Sequence, residues 1–159
     1  MRPLARRLIQ LVELLLSTLV MVLLLALIHR FLFTVVRVDG PSMEPTLPDS
    51  ALVLVARSGG GLARGQIVGA VLSSGQPLVK RIIALPGEQV TVAAGAVQID
   101  GLTIKEPYIG AAETEGNVEF RLAADEYLLL GDNRSNSLDS RQYGAIKERE
   151  LIGPIRVIL

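Results

Sequence analysis

The sequence contains no cysteine, so disulfide bonds and thiolate metal sites are excluded. Its single histidine, His29, lies at the end of a long apolar run, where we interpret it as an interfacial side chain. A Ser-His-Asp triad in the rest of the chain is therefore excluded, because no other histidine is present to act as the base. Neither sign of charge dominates, since 16 basic side chains balance 16 acidic ones. A neutral chain lacks the basic signature of nucleic-acid-binding proteins, so no nucleic-acid partner is predicted.

The N-terminal run is predicted to be a membrane anchor. From Leu8 to Ile28 the chain is almost wholly apolar, and about 20 helical residues cross a hydrocarbon core of roughly 30 Å. Arg2, Arg6 and Arg7 precede the run, which predicts a cytoplasmic N-terminus and an extracytoplasmic body. Glu13 is interpreted as an interfacial residue. A cleavable signal peptide is the weaker alternative, because the run is too long and lacks a small-x-small cleavage site.

The rest of the chain is predicted to form a single antiparallel, barrel-like β domain. Short β-branched runs alternate with glycine- and proline-rich turns, which is typical of a closed or nearly closed sheet. Residues 58–65 are interpreted as a glycine-rich connection and the more polar residues 106–121 as an excursion from the sheet. The predicted division is an anchor at residues 1–34 and a β domain at residues 35–159. The predicted strands cover residues 51–56, 66–72, 78–85, 89–92, 96–99, 126–130 and 152–158.

One serine, Ser42, lies in a turn with apolar chain on both sides. The Gly40-Pro41 step is a turn signal, and Pro45 disfavours a helical conformation at Glu44. The segment is therefore predicted to be extended and bent rather than helical. A polar turn between two strands would explain the same residues, and a nucleophilic role for the serine would require a base.

Lys80 is the candidate base among the three lysines of the chain. Lys105 and Lys147 lie in polar surroundings and are interpreted as solvated. Lys80 lies within the apolar strand 78–85, where successive side chains face opposite sides of the sheet, so either Lys80 or Arg81 must enter an apolar face or lie at its rim. The residue is either a snorkelling lysine or a desolvated lysine with a lowered pKa that acts as a general base.

A dense polar loop, residues 131–144, follows the strand 126–130. Asp139 and Arg141 are spaced to form a charge pair, and Asp132 can accept backbone N–H bonds. The loop is either solvated or an ordered shell around a site. A calcium site is the other alternative, but the two aspartates are too few and lack the ligand spacing of known loops, so no metal is predicted.

Together these stretches resemble the type I signal peptidases, which are membrane-anchored serine proteases with a Ser-Lys dyad. The matching residues, in order behind an N-terminal anchor, are 40–47, 79–88 and 131–141 with Gly144. The resemblance implies that Ser42 is the nucleophile, that Lys80 is the general base and that Ser137 orients the lysine amine. It also implies the family's largely antiparallel β fold with a coiled-barrel core.

Other site residues follow from the same resemblance. Asp139 and Arg141 would form a structural ion pair beneath the site, and Asp132 would support it. Some members of the family carry a serine at the position of Gly40, and its hydroxyl helps to bind the oxyanion. Here the oxyanion is expected to rely on the Ser42 N–H, together with a backbone or water donor near Gly40.

The resemblance implies that the substrates are exported precursor proteins with N-terminal signal peptides, cleaved at the bacterial plasma membrane without a cofactor. The lipid bilayer is the other expected partner. An extended peptide would add as a strand between the segments that carry Ser42 and Lys80. The residues that match pocket-lining positions of the family are Val36, Val38, Met43, Leu47, Leu78 and Val79.

Two other classes of protein remain as alternatives. A self-cleaving repressor with a Ser-Lys dyad would carry a DNA-binding N-terminal half, and the apolar run in that place argues against it. A non-catalytic membrane-anchored β module would have no reason to place Ser42, Lys80 and Ser137 in these contexts.

Overall fold

A computed structural model describes residues 2–57 and 61–158 of the chain. Within this range, the side chains of residues 2–5, 28–31 and 157–158 are not described. The interpretation of the His29 side chain as interfacial therefore lies outside the described residues. The same holds for positions 58–60 of the predicted glycine-rich connection.

The N-terminal segment forms one long helix, α1 (Arg2–Leu32). Within it, Arg6–Leu27 is long and apolar enough to cross a membrane, which fits the predicted transmembrane helix. The hydroxyls of Ser17 and Thr18 both donate to the Leu14 carbonyl, at 2.9 and 2.8 Å. These two polar side chains are thus satisfied inside the helix, as required in an apolar environment.

The contacts divide the chain into two units, one ending at Phe33 and the other beginning at Thr34. Short helical turns cover Pro107–Ile109, Arg134–Asn136 and Glu148–Glu150, and a one-turn helix, α2, covers Ser140–Tyr143. The strands are β1 (Phe33–Arg37), β2 (Leu52–Ala56), β3 (Ile67–Val71), β4 (Pro77–Ala84), β5 (Gln89–Ala93), β6 (Ala96–Ile99), β7 (Leu102–Thr103), β8 (Val118–Arg121), β9 (Glu126–Leu130), β10 (Ile146–Lys147) and β11 (Leu151–Ile158).

The strands form two antiparallel sheets. The larger, curled sheet has the order β1-β2-β11-β3-β4-β9-β10, and the smaller has the order β7-β6-β5-β8. Strand β11 pairs with β3 through its first half and with β2 through its second half, with irregular register in both pairings. Such irregularities bend a strand and increase its twist. The prediction of a mainly β, antiparallel, barrel-like fold is confirmed.

The predicted polar excursion is wrong at its C-terminal end. Residues 118–121 form β8, which pairs with β5. Val118 and Phe120 pack against the core of the smaller sheet, whereas Glu119 and Arg121 are exposed. This alternation is that of a half-buried strand, in which polar side chains occupy the solvent face.

Strand β4 is central to the larger sheet and is buried on both faces. Its Ile82 packs into one apolar cluster with Val68 of β3, and its Ile83 packs into another with Leu128 of β9. Every residue of β4 from Val79 to Ala84 is buried. A charged side chain on this strand therefore needs partners supplied from elsewhere in the chain.

Candidate active site

The backbone around Ser42 is a turn that is tied to the polar loop. The Glu44 N–H donates to the Pro41 carbonyl at 3.0 Å, and the Glu44–Pro45 peptide bond is cis. The Ser42 carbonyl accepts the Asn133 N–H at 3.0 Å. The serine is thus held between its own turn and the beginning of the loop that follows β9.

Ser42 and Lys80 contact each other directly. The Lys80 Nζ donates to the Ser42 Oγ at 2.6 Å, and the two residues are only 5% and 8% exposed, lysine first. Burial lowers the pKa of Lys80 from its ordinary value of 10.5, and the charges of Asp139 and Asp132 oppose that shift. A larger fraction of the amine is therefore neutral than in a solvated lysine, and a neutral amine can accept the serine proton.

The sheet buries both cations of β4, whereas the alternation of side chains required only one of them to enter an apolar face. Arg81 donates to the Asp132 carboxylate through two nitrogens, at 2.8 and 2.6 Å, and to the Gly65 carbonyl at 2.6 Å. The paired geometry compensates for the loss of water around both charges. Asp132 pairs with Arg81, the residue after Lys80, and therefore also lies close to Lys80.

Asp139 and Arg141 form an ion pair, with the Arg141 Nε 2.8 Å from a carboxylate oxygen. Asp139 is fully buried and also accepts the Gly131 N–H at 3.0 Å. Its side chain caps α2 by accepting the Arg141 N–H, and Gln142 completes the capping box. One carboxylate thus connects the end of β9 with the beginning of α2.

Arg134 is a further buried cation, which the sequence did not reveal. Its guanidinium donates to Glu106 at 2.5 and 3.0 Å and to Thr114, and its Nε donates to the Gly131 carbonyl at 2.9 Å. Glu106 lies 28 positions earlier in the chain. No periodicity or motif spacing connects the two residues, and an arginine among short polar side chains resembles a solvated one.

The charges around the polar loop are balanced in pairs. Each of its buried or largely buried carboxylates contacts a guanidinium, and each guanidinium contacts a carboxylate. In the described part of the chain, Lys80 differs from these arginines, because it is buried but contacts a hydroxyl rather than a carboxylate. The pairs are Arg81 with Asp132, Arg134 with Glu106, and Arg141 with Asp139.

The expected hydrogen bond from Lys80 to Ser137 is not formed in this structure. The Ser137 Oγ is buried and has no hydrogen-bond partner among the described residues. The lysine amine is bonded to Ser42 instead, and the Ser137 hydroxyl packs against Gly131. A buried hydroxyl without a partner is uncommon, and this one lies in the loop that contacts the Ser42 backbone.

The Gly40 N–H is not available to an oxyanion, because it donates to the Asp49 side chain at 2.9 Å. The backbone donor expected near Gly40 is therefore not its own N–H. The Ser42 N–H takes part in no hydrogen bond among the described residues. Of the two N–H groups, only that of Ser42 is left without a partner among the described residues.

A cleft of about 210 Å³ opens beside Ser42 and Lys80. Three of the six residues expected to form substrate pockets, Val38, Leu78 and Val79, line this cleft.

The other three predicted pocket residues do not line it. Met43 and Leu47 are 0% and 1% exposed, and with Val36 they form a hydrophobic cluster. The turn packs these side chains against Val53 and Val55 of β2. They belong to the core beneath the turn. The sequence did not reveal this, because apolar residues beside a turn can face either the core or the cleft.

The cleft has apolar lining residues that the sequence did not indicate. Leu138 lies in the polar loop and is 60% exposed although it is apolar. Tyr143 belongs to α2. Leu72 directly follows β3, and Pro77 is the first residue of β4. Only the tertiary fold brings these four residues to one surface.

Residues 11–159 match the protein family described as signal peptidase, peptidase S26. The chain belongs to this family. It is similar to signal peptidase I of Bacillus amyloliquefaciens, with 33% identity over 156 residues that cover 89% of this chain and 84% of the relative. It is also similar to signal peptidase I U of Bacillus subtilis, with 36% identity over 73% of this chain and 70% of the relative. Signal peptidase IB of Staphylococcus aureus is 30% identical over 92% of this chain and 87% of the relative.

A solved structure supports the same assignment. The crystal structure of a signal peptidase I from Enterococcus faecalis matches with a TM-score of 0.56 and 26% identity, covering 62% of this chain and 100% of that chain. The resemblance inferred from the sequence is thus confirmed. Members of this peptidase family are hydrolases, and this chain is a serine endopeptidase associated with a membrane through an apolar N-terminal helix.

Proposed function

We propose that this protein removes N-terminal signal peptides from exported precursor proteins, with Ser42 as the nucleophile and Lys80 as the general base. The observation that carries the proposal is the 2.6 Å contact between Nζ and Oγ in a buried site that borders a cleft. A hydroxyl is a weak nucleophile until a base takes its proton. Lys80 is the basic group that contacts this hydroxyl in the described chain.

The proposed reaction begins with a neutral Lys80. The amine takes the Ser42 proton while Oγ attacks the scissile carbonyl, and the resulting ammonium then donates a proton to the leaving amine. The Ser42 N–H is the backbone donor for the oxyanion. Burial favours the neutral amine before the attack, whereas the nearby charges of Asp139 and Asp132 favour the ammonium formed during it.

Ser137 is proposed to orient the lysine during this cycle. Its buried Oγ has no partner and is able to accept a hydrogen bond from the Lys80 amine. It would do so once Ser42 has become acylated and its Oγ no longer binds the amine. The Asp139–Arg141 pair supports this role indirectly, because it fixes the loop that carries Ser137.

The substrate is proposed to bind as an added strand along β4. Strand β9 pairs with β4 only from Arg81 onward, where Arg81 faces Leu130. No described strand pairs with that edge at residues 77–80, and the same residues line the cleft. An extended peptide can use the free main-chain groups of this edge, while Val38, Leu78 and Val79 provide apolar contacts for small side chains.

The orientation in the membrane is also part of the proposal. Arg2, Arg6 and Arg7 support a single-pass anchor with its N-terminus in the cytoplasm and the β domain outside the plasma membrane. Protease added to intact spheroplasts should therefore degrade the β domain. Degradation that occurs only after the membrane is ruptured would contradict this orientation.

Cleavage of a signal-bearing precursor by the detergent-solubilised, full-length protein tests the function. The wild type should release the mature protein, and Ser42→Ala and Lys80→Arg should not, since a guanidinium does not give up its proton near neutral pH. Lys105→Arg and Lys147→Arg are the matched controls, because neither lysine lines the cleft. If Lys80→Arg cleaves as the controls do, the proposed dyad is wrong.

A further inference from the structure

A buried polar network connects the excursion at residues 106–114 to both sides of the active site. The Tyr108 ring lies over the Arg81 guanidinium, with the Arg81 Cζ 4.0 Å from the ring centroid. The Tyr108 hydroxyl donates to Glu106 at 2.7 Å. Glu106 in turn binds Arg134, whose Nε donates to the Gly131 carbonyl at 2.9 Å. The excursion thus contacts the neighbour of Lys80 on β4 and the beginning of the polar loop.

We propose that Tyr108 and Glu106 are positioning residues for the general base: they hold Arg81 against Asp132 and the polar loop against β4, so that Lys80 stays desolvated beside Ser42. The inference rests on the proposed function of Lys80. Neither Tyr108 nor Glu106 lines the cleft, so both act through other residues.

The first contact acts through Arg81. Its guanidinium is held in plane by Asp132 and Gly65, and the Tyr108 ring covers its face. A cation over an aromatic face is attracted to it, and the attraction increases when the pair is shielded from water. The ring therefore covers one of the two faces of the Arg81 guanidinium that its hydrogen bonds leave open.

The second contact acts through Glu106, which holds both the ring and the loop. One oxygen of its carboxylate accepts the Tyr108 hydroxyl and Arg134, and the other accepts Arg134 again. The Arg134 and Glu106 side chains are 0% and 6% exposed. A buried pair of this kind has a fixed geometry, and its loss leaves a buried charge without a partner.

Loss of this positioning predicts a definite sign for the pH dependence. The charged groups around Lys80 are Arg81 beside it on β4, Asp132 and Asp139 of the loop, and the cations Arg134 and Arg141 that pair with carboxylates there. When the contacts of Glu106 are lost, the loop beside Lys80 loosens and the desolvation of Lys80 decreases. A looser Arg81 also neutralises Asp132 less completely. Both changes raise the pKa of Lys80.

The phenol of Tyr108 does not itself titrate in the assay range. Burial and the hydrogen bond to Glu106 both raise the pKa of Tyr108 above its ordinary value. The hydroxyl therefore remains a donor at every pH at which the peptidase is assayed, and any shift of the profile reports on another group.

The test is the pH profile of precursor cleavage by the full-length protein in detergent, for Tyr108→Ala, Tyr108→Phe, Glu106→Ala and Glu106→Gln. Tyr108→Ala and Glu106→Ala should move the rising limb to higher pH by roughly 1 unit. The rate at pH 7 should fall about tenfold and recover at alkaline pH. Tyr108→Phe keeps the ring and Glu106→Gln keeps an acceptor, so both should shift the limb less than the alanine variants.

Glu88→Ala is the matched control, because Glu88 also pairs with an arginine, Arg64, at 2.6 Å but lies outside the network. The rising limb of its pH profile should lie at the same pH as that of the wild type. A uniform loss of rate at every pH in the alanine variants, or no shift in any variant, overturns the proposal. If an alanine variant fails to fold, an unshifted limb in both conservative variants overturns it as well. Failure of the wild type to cleave, or cleavage by Ser42→Ala, would instead refute the proposed function.

Discussion

Gly131 and Ser137 are packed so closely that a Cβ added to Gly131 would lie 2.1 Å from the Ser137 Oγ and 2.5 Å from the Ser42 carbonyl oxygen. Both distances are well below van der Waals contact. The absence of a side chain at Gly131 thus allows Ser137 and the turn that carries Ser42 to pack against the same backbone position.

Gly131→Ala should therefore reduce cleavage severely, because the added methyl group must push the loop away from the Ser42 backbone. Overpacking of this kind costs typically 1–3 kcal/mol, so the variant should also unfold at a lower denaturant concentration. Gly61→Ala is the control, since a Cβ at Gly61 meets nothing within 4 Å. Equal rates for the two variants would show that the close approach is unimportant.

Ser137→Ala should lower the cleavage rate by roughly 10- to 1,000-fold, on the scale of general-base effects. Because the Ser137 Oγ is buried without a hydrogen-bond partner, its removal should cost no stability. Ser135 is exposed and bonded only to the Asn133 side chain, at 3.3 Å, so Ser135→Ala serves as the control. Full activity in Ser137→Ala together with a loss in Ser135→Ala would reverse the assignment.

Lys80 should determine the pH dependence of both activity and stability. Its pKa is lowered from 10.5 by burial, so the rate should rise with pH as the amine loses its proton. Between the lowered pKa and 10.5 the unfolded chain binds this proton more strongly than the folded chain, so stability should also rise with pH in that window. Lys80→Met should be inactive and should have a higher Tm than the wild type at pH 7. A lower Tm would show that the nearby carboxylates outweigh the desolvation.

Asp132→Asn should destabilise the protein by about 3–5 kcal/mol, because it leaves the Arg81 guanidinium buried without a counter-charge. Chemical denaturation of the full-length protein in detergent measures this change. Glu88→Gln removes the carboxylate of the more exposed Arg64 pair and should cost no more than about 1 kcal/mol. Similar losses in both variants would contradict the special role of the buried pair.

Features that depend on a local pattern could be predicted from the order of the amino acids. The apolar run of α1, most of the strands and the turn at Ser42 follow from hydrophobic periodicity and from glycine and proline, whose effects act over a few residues. The end of the polar excursion was missed because β8 is short and its alternation covers only two apolar side chains. The residues of the candidate dyad were found because the serine turn, the lysine strand and the polar loop each resemble a family motif.

The side chains that meet in the folded protein could not be predicted in this way. The alternation in β4 indicated that Lys80 or Arg81 enters an apolar face, but β4 is covered on both faces, so both are buried. The partner that makes this possible for Arg81, Asp132, lies 51 positions away. The same reason explains why Met43 belongs to the core and Leu138 to the cleft. Burial and ion pairing depend on contacts between distant segments. A local pattern indicates which side chains could take part in such contacts but not which partners they have.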